Sequence, residues 1–167
     1  MKARKITVAV VAVALLGAAR VAWARTSQTH VEGLIAAVTV VDPGTETIDE
    51  NLVLHVRGSA TEETVIDDLQ GTLYVRGSMD LNLMTGAGWM WGCLRFVGTV
   101  GDEPTVGTFV GVYGGMITDF ALDLDWWMVG RGAFSGRWLR VDNTGSLTPP
   151  GMPFIPQPYV GPVYAGD

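Results

Sequence analysis

Few side chains in this sequence stand at spacings that could do chemistry. The only histidines are His30 and His55. A metal site would need ligating partners, and the sequence places none beside either one, so both read as solvated surface residues. Asp67 and Asp68 are adjacent and diverge in an extended chain, whereas Asp119, Asp123 and Asp125 share one face of an alternating stretch. Three carboxylates on one face could hold a hard cation or supply a general acid and base, and they serve equally well as a solubilising outer face. The odd positions Trp89, Trp91, Cys93, Arg95 and Val97 form an apolar wall with one fixed positive charge. Such a wall suits an apolar ligand carrying a carboxylate or carbonyl, anchored on Arg95. Trp89, Trp91 and Arg95, together with Phe109, Tyr113 and Trp126 from neighbouring stretches, form the candidate ligand-binding set. The competing reading is plain core packing with Arg95 at the rim. No metal-binding spacing, phosphate loop or nucleophile elbow occurs, so no catalytic residue, metal or cofactor is assigned.

The elements that must position these residues are strands. From Thr72 to Met84, Leu73, Val75, Gly77, Met79, Leu81 and Leu83 alternate with polar neighbours, a period of two that marks a half-buried strand. Asn51 to Ser59 repeats the design with Leu52, Leu54, Val56 and Gly58 on one face. Ile117 to Val129 does so with Phe120, Leu122, Leu124, Trp126 and Met128. Trp89 to Val100 and Thr105 to Met116 carry apolar residues or glycine on both faces and read as buried on two sides. Leu34 to Val41, Ala133 to Val141 and a short piece near Tyr159 to Tyr164 complete seven or eight strands. Turn chemistry separates them at Asp42-Pro43-Gly44, Thr85-Gly86-Ala87-Gly88, Gly101-Asp102-Glu103-Pro104, Gly130-Arg131-Gly132 and Asp142-Asn143-Thr144-Gly145. The acidic stretch Thr61 to Leu69 is the one helical candidate after residue 24, short enough to be a loop or a single turn.

Long strands, tight turns and internal glycines at Gly77, Gly92, Gly107, Gly111 and Gly136 point to an all-β fold. The expected form is a small antiparallel up-and-down β-barrel of about eight strands, with a β-sandwich as the alternative. Leu54-His55-Val56-Arg57-Gly58-Ser59 resembles Leu73-Tyr74-Val75-Arg76-Gly77-Ser78, but the repeat does not recur a third time, as a solenoid would require. An outer-membrane barrel would also alternate, with Trp89, Trp91, Trp126 and Trp127 as girdles, but glycine interrupts the apolar faces.

The first 24 residues read as an export signal, a helix preceding the barrel. Lys2, Arg4 and Lys5 precede an apolar run from Ile6 to Ala19, and Ala22-Trp23-Ala24 gives a small-x-small cleavage site. Cleavage after Ala24 predicts a secreted or periplasmic protein without a membrane span. Residues 25–148 then form the barrel domain and 149–167 a proline-rich C-terminal tail. The whole chain has a net charge of −6, but every lysine lies in the leader; past Ala24, seven arginines face 17 acidic residues, a net charge of −10. A body so acidic, with scattered arginines, repels nucleic acid. The single Cys93 permits no internal disulfide, so stability must come from the core. Six of the eight prolines fall between Pro149 and Pro162, which reads as neither a central strand nor a helix. Either Phe154, Ile155, Tyr159 and Tyr164 lay this tail across one barrel end, or it serves as an extended ligand for an interaction partner.

The run Gly130-Arg131-Gly132-Ala133-Phe134-Ser135-Gly136-Arg137, preceded by Gly107-Thr108-Phe109-Val110-Gly111, resembles the glycine-rich late strand of allene oxide cyclase-like and dirigent-like β-barrels. The resemblance covers the second half of the chain and implies a calycin-type barrel with an internal hydrophobic cavity. It transfers no catalytic residue. The expected function is therefore binding of a small hydrophobic ligand, or a structural role, in an exported barrel. A cofactor-independent cyclase or isomerase is the alternative, and an interaction module using the tail is the third class.

Overall fold

Alternation of apolar and polar residues becomes strand over most of the chain. The computed structural model describes residues 27–148 and 153–166; the leader expected at residues 1–24 lies outside the described residues. The strands are β1 (Ser27–Asp42), β2 (Thr45–Ile48), β3 (Val53–Asp67), β4 (Leu69–Asn82), β5 (Gly88–Val100), β6 (Gly107–Thr118), β7 (Ala121–Arg131), β8 (Arg137–Ser146) and β9 (Gln157–Ala165). Each pairs antiparallel with its neighbours from β3 through to β9. β9 then pairs with β1 over Ser27–Ile35, and β1 pairs with the second half of β3. The sheet thereby closes into an eight-stranded up-and-down barrel, with β2 as an extra strand on the first half of β3. Closure replaces the open edges of a sandwich, and the two similar segments 54–59 and 73–78 lie on adjacent strands of this one sheet.

Leu73, Leu81, Leu94, Phe96, Phe109, Ile117, Leu124, Trp126, Met128, Val141 and Tyr159 are all buried in one interior cluster. Arg76, Arg95, Asp123, Asp125 and Arg131 lie on the exposed face of their strands. Trp89, Val112, Met116, Trp127 and Trp138 share that outer wall, which is therefore mixed where the interior is apolar. At the end of the barrel where β7 stops, a 3-10 turn at Gly132–Phe134 folds Phe134 inward against Phe109, with ring centroids 4.9 Å apart. Phe134 is fully buried and plugs that end.

Four expectations need correction. Thr61 to Leu69 is not a helix or a loop; it is the second half of β3 and the start of β4, and the β-branched Thr64, Val65 and Ile66 suit that place. Ile117 to Val129 is two strands, because Asp119 and Phe120 take φ of 51° and 64° and form a tight hairpin turn with both central residues left-handed. β5 and β6 are buried on one face only, with Trp89 48% and Val112 56% exposed on the other. The proline-rich stretch does supply a central strand: β9 pairs on both sides, with Pro158 opposite Leu34 and Pro162 opposite His30. The β8 ladder accommodates the missing N–H by running from Leu139↔Val163 directly to Asp142↔Val160, skipping Gly161 and Pro162.

β9 also anchors the strands across from it. The hydroxyl of Tyr159 accepts from the Leu69 N–H at 2.8 Å and donates to the Ile66 carbonyl at 2.9 Å, satisfying both sides of the β3–β4 turn. Burial and nearby Asp67 and Asp68 push its hydroxyl up to about 12 despite that hydrogen bond from Leu69, so it stays protonated and able to donate. Tyr159→Phe leaves both backbone groups unpaired in the core and should cost about 1–3 kcal/mol, read as a lower midpoint in guanidinium unfolding.

Candidate functional site

Opposite the Phe134 plug, the barrel interior is not filled. A cavity of about 200 Å³ opens there, walled by Ile35, Val38, Val75, Met90, Leu94, Leu122, Leu124 and Trp126, with Leu147 and Phe154 at its mouth. Its polar groups gather on two sides. Ser59, Thr61 and Glu63 from β3 face Tyr113 from β6, and Asn143, Ser146 and Gln157 come from β8 and β9. Asn143 is committed to structure, since its amide donates to the Pro158 carbonyl at 2.9 Å.

A bulge puts Glu63 inside. The β3–β4 register slips between Val56 and Ser59, where Gly58 takes φ 70°. One extra residue changes which side chains face inward. Before the bulge Leu54 and Val56 pair with Leu81 and Met79; after it Ser59, Thr61, Glu63 and Val65 point into the barrel. Uninterrupted alternation would have turned Glu62 inward instead. Inside, Glu63 accepts a hydrogen bond from Thr61 Oγ1 at 3.0 Å. That bond only partly offsets burial, which pushes the carboxyl up to about 7. Among the described residues, no lysine, arginine or histidine lines the cavity.

The Tyr113 ring crosses Gly92 and ends over Gly77; a Cβ on Gly77 would sit 1.9 Å from its hydroxyl oxygen, so only glycine leaves room. That hydroxyl is buried and has no hydrogen-bond partner among the described residues. Burial first, and then the charge of Glu63, hold the phenol well above its ordinary range. A proton donor kept neutral and a carboxyl poised near neutrality therefore face one apolar cavity. Such a pair can hydrogen-bond a polar group on a bound molecule or move a proton to or from it.

The structure brings only part of the expected set together. Trp126 and Tyr113 line the cavity, and Phe109 lies deeper, packed on Phe134. Trp89, Trp91 and Arg95 are on the outer face of β5. Trp91 lies under Arg57 at 5.2 Å, and Arg95 stacks on Tyr74 at 4.3 Å. Register decides this: Leu94 stands opposite Val75, and Phe96 opposite Leu73, so the even positions of β5 face inward. The tryptophan wall cannot line the interior, nor can Arg95 anchor a ligand there. Glu63 escaped notice because it sits in the stretch read as a helix or loop. The signal that could have found it was Gly58 followed by alternating Ser59, Thr61, Glu63 and Val65.

Other polar clusters sit outside. His55 is not a lone solvated residue: its Nδ1 lies 2.6 Å from Asp80 Oδ1 and its Nε2 3.7 Å from Asp49 Oδ2, while Arg57 Nη2 donates to Asp80 at 2.5 Å. The His55 hydrogen bond holds Asp80 below its ordinary value, and the Val53 N–H does most to hold Asp49 down. His30 is exposed on β1. Asp123 and Asp125 face outward on β7, Asp119 is in the hairpin turn, and Arg140 bridges from Asp125 at 3.2 Å toward Asp142 at 4.0 Å. Among the described residues no three ligating side chains converge to hold a metal ion.

Glu63 makes a pH signature. Its folded value of about 7 lies above the ordinary 4.5, so its own contribution to stability is fully present below pH 4.5 and is lost as pH rises through 7, by at most about 3 kcal/mol. Glu63→Gln removes the ionisable group; it should raise the melting temperature by several degrees at pH 8 and change it little at pH 4.5, read by thermal denaturation. Compared with known proteins, the chain matches no protein-family model and no curated protein at a significant level.

Proposed function

We propose that this barrel binds a small, mainly apolar molecule in the cavity opposite the Phe134 plug, and that it does so outside the cytoplasm. The cavity carries the reading: about 200 Å³ of unfilled, apolar-walled space in a barrel whose other half is tightly packed. Few convergent polar groups in an apolar concavity is the usual makeup of a small-molecule site. The polar anchor of the ligand is the Glu63–Tyr113 corner, in place of the cation expected at Arg95. The leader-like segment and the lysine-free acidic body support export.

A second reading rests on Glu63 alone. A carboxyl near neutrality beside a protonated phenol suits acid–base isomerisation or cyclisation without a cofactor, as the allene oxide cyclase-like resemblance implies. Turnover of an unsaturated epoxide or polyene, abolished by Glu63→Gln, would support it.

Binding is tested through tryptophan emission. Trp126 is the one tryptophan lining the cavity among the described residues. A saturable change on titration with small lipophilic molecules is expected, lost in Trp126→Phe. Val75→Phe, which fills the space, should weaken binding at least about tenfold, the loss of roughly 1.4 kcal/mol. No saturable response to any member of the panel would refute the reading.

A further inference from the structure

The charge balance inside the cavity says more about the ligand than its walls do. Among the described residues, Glu63 is the only acidic one lining it, and no cationic side chain lines it. A carboxylate held among Ile35, Val75 and Leu94 has lost much of its water, and one hydroxyl hydrogen bond from Thr61 replaces only part of that loss. Buried charges in proteins are normally matched by a partner, and none is supplied by the described residues that line the cavity. The Tyr113 hydroxyl adds a second open position, with lone pairs able to accept while its proton turns elsewhere. Trp126 and Phe154 add aromatic surface, which attracts cations.

We propose that the ligand is a small organic ammonium, a protonated primary or secondary amine on an apolar body of about one ring, with its nitrogen on Glu63 and the Tyr113 hydroxyl and its body against Leu124 and Trp126. This rests on the reading that the cavity takes a small molecule. Size agrees: an apolar cavity of about 150 Å³ holds benzene, so the space here accommodates one ring and a short polar arm. Charge selects. A carboxylate ligand would meet Glu63 with like charge, and a neutral one would leave the ionised carboxyl unpaired. The acidic body, 17 acids against seven arginines past Ala24, also raises the local concentration of cations.

The pH dependence has a defined sign. Among the described residues, Tyr113 is the one other titratable group that faces Glu63 in the cavity, and it stays neutral; β1 contributes Ile35 and Val38, and β4 contributes Leu73 and Val75. An ammonium must find Glu63 ionised. Affinity is therefore full at pH 8 and falls as pH drops through 7, by about thirtyfold at pH 5.5 if the complex holds only the carboxylate.

Calorimetric titration of the purified protein with benzylamine, benzyl alcohol and phenylacetate tests this. At pH 8, benzylamine should bind at least about tenfold tighter than benzyl alcohol, and phenylacetate should be the weakest. Glu63→Gln should abolish the preference, bringing benzylamine to within twofold of benzyl alcohol in that variant, and a cooperative thermal melt shows that the variant folds. Should that variant not fold, the wild-type pH series and the protons released on binding at pH 5.5, compared in two buffers, carry the same test. Equal affinity for amine and alcohol, or an amine affinity that does not fall at pH 5.5, overturns the ammonium assignment and leaves the cavity reading standing. Absence of binding by all three overturns both.

Discussion

Closure of the sheet depends on one strand serving two partners. The first half of β3 carries β2, and its second half carries β1. Between them lies the bulge at Arg57-Gly58, where the strand turns and the ladder to β4 slips by one residue. Without that bend β3 could not leave the outer strand and meet β1, and β1 would present an open edge. The same bend sets which residues of β3 face inward. The geometry that makes the barrel thus also places a carboxylate in it, and one glycine at φ 70° underlies both.

The interior is divided by how it is filled. Toward the plug, Phe96, Phe109, Phe134, Leu69 and Met128 pack the barrel with large side chains. Toward the open end the sections are lined by smaller or polar residues, Ser59, Thr61, Val75 and Gln157 among them, and space remains. With no disulfide available to Cys93, the packed half must supply most of the stability. Tyr159 links it to the fold by satisfying both backbone groups at the β3–β4 turn. That separation lets the open half carry a costly feature, a desolvated carboxyl, without the barrel failing. Proteins commonly tolerate such costs where a ligand is handled.

How much of this could be read from sequence varied with the physical signal. Strands with one clean apolar face, Leu73 to Leu81 and Leu122 to Met128, were legible, since the period of two reports burial directly. β5 was not. Both its faces are apolar, so only pairing with β4 decides that Leu94 is inside and Trp91 outside, and register is a long-range property. β9 was legible only as a short piece near Tyr159 to Tyr164, because proline weakens a strand locally, whereas pairing with β1 and burial of Tyr159 and Val163 stabilise the whole strand from outside the segment. The acidic stretch at 61–69 failed for a related reason. Its charges look like a solvated turn, and the bulge that sorts Glu62 outward from Glu63 inward is marked in the sequence by a single glycine among many.

The outer aromatic residues then need an account of their own. Trp91, Tyr74 and Trp127 each carry an arginine over the ring, at 5.2 Å for Arg57, 4.3 Å for Arg95 and 4.5 Å for Arg140. With Arg137 over Phe134 at 5.3 Å, four of the seven arginines past Ala24 are held on rings. Each guanidinium covers apolar surface while keeping its charge in water, which a chain lacking lysine past Ala24 can do only with arginine. Three of them also bind carboxylates, Arg57 on Asp80, Arg137 on Glu103 and Arg140 on Asp125. The cations of this acidic protein are thus used on the outer wall, screening its apolar and acidic side chains. Among the described residues none lines the cavity, and that distribution leaves Glu63 there without a cationic side chain beside it.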